Sequence, residues 1–312
     1  MADFTALFAS GLAEGAIAAL AAVGFLLTYK ATGVVNFAQG ALITFSAYIA
    51  IWVTQGGGMF GWGALGLIPG YIVTIALMFG VGVILERLAY APLRGRSVHV
   101  VVIATLGASI VLIAFIGLWQ GTTPRYLGSP VSPTELGIDA SLIHIFGANI
   151  EWQRGVIVIF TAIIVVALIL LFQRTQFGRQ LRATAADRNT ARLCGVPVNM
   201  LSMLAFGMSA ALAGLAGVLF APLGAVDLNF GFQVMLLGFA AAVLGGFGSI
   251  GGVVAGGIAI GLTEQLFGGW FLSDVVNSPL TDYKRVYPFL LMILVIALRP
   301  QGLFGRAQAR RL

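Results

Sequence analysis

About nine stretches of this chain are near-continuous apolar runs, from Leu7–Tyr29 at one end to Tyr287–Leu298 at the other, with short polar segments between them. A helix that crosses lipid needs about 20 mostly apolar residues, because its backbone polar groups must be satisfied inside the segment. A chain of 312 residues with mean hydropathy +1.01 has room for eight to ten such spans and very little for a soluble core. The pattern therefore predicts an all-α fold. It is a polytopic membrane helical bundle of about eight to ten spans, a single transmembrane domain over residues 1–312. The 42 glycines fit it, since small residues let helices approach closely in lipid.

The most polar interruption is residues 173–200. It carries five arginines (Arg174, Arg179, Arg182, Arg188 and Arg192) against one acid, Asp187, in a chain that is only 9% charged. An arginine-rich island between apolar spans reads as a cytoplasmic loop. From Gly178 to Cys194 it holds good helix formers and no proline, and Gly195 followed by Pro197 is a stop signal. The spacing predicts one helix with Ala183, Ala186, Thr190 and Leu193 on a small, weakly apolar face. Two readings stay open: a loop that only sets topology, or a surface made for another protein.

Orientation follows from the other basic segments. Lys30, the 86–97 loop (Arg87, Arg94, Arg96) and the tail (Arg306, Arg310, Arg311) agree with the island in facing the cytoplasm. The N-terminus is then outside and the C-terminus inside, in a cell (inner) membrane. No cleavable leader is expected, since Asp3 and no basic residue precede Lys30. Residues 120–153 and 268–285 fall on the outer side. Ala210/Gly214 and Ala213/Gly217 are small-xxx-small pairs for tight packing. Phe232–Leu244 and Val253–Phe267 are short for full spans, with Gly-Gly-Phe-Gly-Ser-Ile-Gly-Gly between them. Glycine-interrupted short helices can line a path, which marks Gly246 and Gly248. Gly248, Gly252 and Gly256 on one stripe could equally serve packing.

Several chemistries are excluded. Gly246-Phe-Gly248-Ser-Ile-Gly251 matches G-x-G-x-x-G, but in a membrane hairpin with no acid about 20 residues on it is no dinucleotide site. A phosphate-binding loop needs Gly-Lys-Ser/Thr, and Lys30 and Lys284 precede Ala31 and Arg285. The chain cannot hydrolyse ATP by that route, so it is expected to be no enzyme. His99 and His144 fall in different loops, no cluster has metal-ligand spacing, and the single Cys194 forms no internal disulfide. The basic loops sit beside apolar spans, so nucleic acid is not an expected partner. Glu14 and Glu264 lie within apolar runs, near predicted span ends where a neighbouring helix can satisfy them. Asn36 and Gln39, three apart at the start of a span, are read as sharing one helical face. They either bond another helix or contact a polar solute in a path.

The segment GRQLRATAADRNTARLCGV resembles the coupling loop of ABC-importer permeases, in the form found in branched-chain amino acid permeases. Gly178, Arg182, Ala183, Asp187, Ala191 and Gly195 carry the match. TGVVNFAQGALITFSAYIA, AAAVLGGFGSIGGVVAGGIAIGLTE and the closing RPQGLFG are similar to further segments of that family, in the right order. Gln39 stands where the family often has histidine. The resemblance implies a cytoplasmic coupling helix docking on an ATPase, with no cofactor on this chain and ATP and magnesium held by two partner ATPases. It also implies a second related permease, an extracytoplasmic binding protein, and the shorter of the two permease types. The solute would be a branched-chain amino acid, or urea, a short amide or another small polar molecule. A stand-alone secondary transporter or channel is the alternative from another class.

Overall fold

A computed structural model describes residues 2–55, 66–127, 142–145, 148–275 and 282–305. The tail arginines, residues 56–65, and residues 128–141 and 146–147 of the 120–153 segment lie outside the described residues. In chain order the helices are α1 (Ala2–Thr32), α2 (Gln39–Thr54), α3 (Leu67–Leu85), α4 (Val98–Gln120), α5 (Trp152–Arg174), α6 (Gln176–Ala186) and α7 (Arg188–Leu193). They continue with α8 (Val198–Phe220), α9 (Phe230–Gly245), α10 (Ile250–Leu262) and α11 (Tyr287–Leu298). One antiparallel hairpin, β1 (Leu142–Ile145) and β2 (Ala148–Glu151), pairs Leu142 with Glu151. Six helical stretches of the described residues are long and apolar enough to cross a membrane, and α2, α9 and α11 are shorter apolar helices. The chain is a multi-pass, all-helical membrane protein.

It forms two compact units, one of Met1–Ala22, Val131–Val165 and Leu237–Leu312, the other of Val23–Pro130 and Val166–Leu236. The second unit is built around α2, which is buried at every position except Phe45, Trp52 and Thr54. A helix hydrophobic on all sides belongs in an interior. Helix α8 lies against it with the small-xxx-small pairs predicted above. A Cβ on Gly217 would come within 2.5 Å of the Ile43 carbonyl oxygen, and one on Gly214 within 3.1 Å of the Met78 Cβ on α3. Phe45 and Trp52 meet Phe115 and Trp119 of α4 edge-on, at 5.9 and 5.6 Å between the respective ring centres of Phe45–Phe115 and Trp52–Trp119. The outward sides of α3 and α4 (Ile68, Ile72, Ile103, Ile110, Val111) stay exposed and apolar, as surfaces in lipid must be.

In the first unit, α1 and α10 cross at paired glycines that the sequence reading did not single out. Gly11-x-x-x-Gly15 faces Gly257-x-x-x-Gly261: a Cβ on Gly11 would lie 3.0 Å from the Gly261 carbonyl oxygen, and one on Gly15 2.9 Å from that of Gly257. Two backbones at this separation gain dispersion contact along the whole crossing, the usual means of association where lipid removes the hydrophobic drive.

The short span expected at Val253–Phe267 is corrected. Ser249 caps α10 by accepting the Gly252 N–H at 3.1 Å, and a π-helical stretch Thr263–Val275 carries the helix on, so the apolar segment runs Ile250–Leu272. The wider π turn houses Gln265, whose amide donates to Glu14 Oε1 at 2.7 Å. Glu14 is thus bonded to a neighbouring helix, as one sequence reading had it. Glu264 is 4% exposed, and its Oε2 has no hydrogen-bond partner among the described residues.

Candidate functional site

The 173–200 segment is two helices, not the single one predicted. The break falls at Asp187, whose backbone is extended (φ −154°, ψ 111°) and whose carboxylate accepts the N–H groups of Asn189 (2.9 Å) and Thr190 (3.0 Å). An aspartate next to free backbone donors offers them an alternative to the helix ladder, and here it ends α6 and caps α7. The stop signal acts as read. Gly195 has φ +80°, its N–H donates to the Arg192 carbonyl at 3.1 Å, and Val196 N–H reaches the Ala191 carbonyl at 3.1 Å. That is a Schellman cap, with Pro197 beyond it.

Gly178, Leu181 and Thr184 are buried at helical spacing on α6, and Ala191 on α7. A side chain at Gly178 would run into the Phe172 backbone, so the turn from α5 into α6 tolerates no Cβ there. Thr175 caps α6 by accepting the Gly178 N–H at 3.3 Å, and Arg182 donates to the Phe172 carbonyl. The face expected to be small and open is open: Ala183, Ala186, Thr190 and Leu193 are exposed, Leu193 by 89%. The two-helix element is therefore pinned from beneath and presents an arginine-framed surface with little side-chain bulk.

A second basic segment lies beside it. The π-helical turn Glu86–Tyr90 and the residues after it bring Arg94 onto Glu86, which is 3% exposed, and also to the Asn199 carbonyl at 3.4 Å. Arg188 reaches the Ala31 carbonyl and Ser202 Oγ, each at 3.4 Å. Burial lowers the Arg188 pKa, with Arg94 and Arg192 adding repulsion and Glu86 offsetting part of it. A guanidinium is a cation throughout the pH range in which proteins work, so Arg188 stays charged.

The expected path residues fall in both units. Asn36 and Gln39 do not share a helical face: Asn36 precedes α2, and its Oδ1 accepts the Ala38 N–H (3.0 Å) and the Tyr90 hydroxyl (3.1 Å). An Asx turn has outcompeted the first helical turn. Gln39 is fully buried and donates to the Ser209 carbonyl at 3.3 Å, with Ser209 Oγ 3.0 Å from its Oε1. Both amides thus bond other parts of their own unit. Gly246 has φ +80° and is overlaid by the C-terminal turn, where Leu303 N–H donates to the Leu244 carbonyl at 2.8 Å. Gly248 is exposed and precedes α10, so it lies off the Gly252–Gly256 stripe.

Residues 7–296 match the family described as branched-chain amino acid transport system / permease component. The chain belongs to this family. It is similar to the high-affinity branched-chain amino acid transport system permease protein LivH of Escherichia coli (strain K12), at 32% identity over 97% of this chain and 96% of that protein. BraD of Pseudomonas aeruginosa, of the same description, gives the same identity and coverage. The probable branched-chain amino acid transport permease protein LivH of Methanocaldococcus jannaschii is 29% identical over 92% of this chain and 88% of its own. The solved PsaBC from Streptococcus pneumoniae in complex with Fab covers 96% of this chain and 93% of that one, with TM-score 0.47 and 15% identity.

Membership bears out the resemblance carried by the 178–195 segment and makes the chain a permease component rather than an enzyme. Sequence reasoning missed the residues that hold this permease's loop in place: Thr175, Leu181, Glu86 and Ser202. Thr175 three residues before Gly178 was a readable cap. Ser202 gave no local signal, because its partner Arg188 lies on another helix, whereas Glu86 pairs with Arg94 only eight residues on, within its own loop.

Proposed function

We propose that this chain is the membrane permease of an ATP-driven importer of branched-chain amino acids, with α6 and α7 as the element through which an ATPase moves it. The observation that carries the reading is the anchored yet open α6–α7 pair. Its buried side (Gly178, Leu181, Thr184, Ala191) fastens it to the unit, while Arg182, Ala183, Ala186 and Leu193 lie exposed. A surface with little side-chain bulk accepts a groove closely, and the arginines give it charge-assisted donors. Asp187 and Gly195 fix where the two helices end, so a push on α7 reaches α8 across only the four residues Cys194 to Pro197.

Two cytoplasmic ATPases holding ATP and magnesium, a second related permease and an extracytoplasmic binding protein complete the assembly, with the N-terminus outside. ATPase closure shifts the coupling helices and exchanges outward for inward access as a rigid-body change. The names of the 32%-identical relatives support the substrate class. The test is reconstitution in liposomes of the complete assembly, with leucine-loaded binding protein outside and ATP inside. Uptake that stops when the ATPases are left out is expected. Uptake by this chain alone would end the proposal.

A further inference from the structure

Beside the coupling element, a cavity of about 110 Å³ opens in the second unit, lined by Arg94, Arg96, Arg188, Ser202, Glu86 and Val98 among others. Glu86 is the one acid in its lining and is already paired with Arg94. Arg96 and Arg188 have no carboxylate partner among the described residues, and Arg188 holds the Ala31 carbonyl and Ser202 Oγ at only 3.4 Å each. The cavity wall thus carries two guanidinium groups without a carboxylate ion-pair partner among the described residues, and a hydroxyl. It also meets the start of α4, a 23-residue helix whose Ser97 makes no side-chain cap and whose first residue, Val98, forms part of the wall. An uncapped helix start adds free N–H groups and a partial positive charge.

We propose that this cavity binds a phosphate group, and that its source is the headgroup of an anionic lipid in the leaflet on the side of the 173–200 loop. The volume is that of about three to four water molecules at roughly 30 Å³ each, room for a phosphate but not for a folded peptide segment. The lipid source follows from the rest of the wall. Leu93, Val98, Val101 and Phe206 line the cavity beside the guanidinium groups, Val98 is 56% exposed, and the apolar outer surface of α4 continues from it. A phosphate held by arginines with acyl chains running along such a helix matches both halves of a phospholipid. Bound there, the lipid bridges Arg188 of α7 and Arg96 ahead of α4, and relieves the repulsion among Arg188, Arg94 and Arg192.

The experiment is native mass spectrometry of the purified full chain, titrated separately with phosphatidylglycerol, phosphatidylcholine and inorganic phosphate. Arg96→Gln is the main variant, because Arg96 is exposed and its side chain is not needed to hold another element. Arg96→Lys keeps the charge, and Arg179→Gln removes an exposed arginine away from the cavity. The expected result is phosphatidylglycerol retained over phosphatidylcholine, about fivefold weaker in Arg96→Gln, restored in Arg96→Lys and unchanged in Arg179→Gln. Equal losses in Arg96→Gln and Arg179→Gln would mean attraction to the basic surface as a whole, and would overturn the site. Inorganic phosphate binding as tightly as phosphatidylglycerol would overturn the lipid source. Lipid retention untouched in Arg96→Gln, with ATPase binding lost instead, would give the cavity to a protein partner and overturn the proposal.

Discussion

Asp187 carries two duties that a pair of substitutions can separate. Its carboxylate caps α7 through two hydrogen bonds of about 3.0 Å, to Asn189 and Thr190, and it lies exposed on the surface proposed to meet the ATPase. Removing an N-cap acceptor costs about 1 kcal/mol, and α7 is only six residues long, with no spare turns to absorb the loss. Asp187→Ala should therefore raise the open fraction of α7 about fivefold. Asparagine caps nearly as well as aspartate, so Asp187→Asn loses only the charge–dipole part, a few tenths of a kcal/mol at an exposed site. Amide exchange at Asn189 and Thr190 reads the cap directly, and the ratio of solute moved to ATP hydrolysed in proteoliposomes reads coupling. The expectation is faster exchange and weaker coupling in Asp187→Ala, with both near the parent in Asp187→Asn. Unchanged exchange in Asp187→Ala would refute the capping argument. Asp187→Asn failing in coupling as badly as alanine, with its exchange intact, would show that charge rather than helix geometry matters at this position.

Gly261→Leu should cost at the upper end of about 1–3 kcal/mol, since the atoms it meets are the backbone of Gly11 and Gly15, which cannot swing aside; a thermal midpoint equal to the parent's would sink that packing account. Gln39→Leu removes both contacts with Ser209, whose hydroxyl can still donate to the Gly24 carbonyl at 2.9 Å, so a loss of about 1 kcal/mol is expected. Its solute ranking in competition uptake should stay unchanged, and an altered ranking at an unchanged midpoint would put the amide on the path instead. Cys194 is exposed, and a membrane-impermeant thiol reagent should label it in inside-out vesicles but not in intact cells. Labelling in intact cells would reverse the proposed orientation.

The chain's own order of residues determined that it lives in lipid, how many apolar helices it makes and where its arginine-rich segment lies. Those features are local: a run of apolar residues, five arginines within 28 positions, and a glycine and a proline that stop a helix all act on their own neighbours. The Gly195 cap and the Ala213/Gly217 packing pair were legible for that reason. The break at Asp187 was local too, yet two outcomes compete there, an unbroken helix or a cap, and propensity alone favours the first. The same competition moved Asn36 out of α2.

Tertiary structure decided which partners meet. Leu181 is buried on α6 while Ala183 and Ala186 are exposed; α6 packs on α8, and nothing in the spacing of α6 says which side does so. Glu86 found Arg94, and Gln39 found Ser209 across 170 residues, because a polar group withdrawn from water takes the nearest donor or acceptor the fold supplies. The glycines of α1 and α10 show the same division. Their four-residue spacing is written in the chain, but that the two stripes face each other is set by helix packing alone.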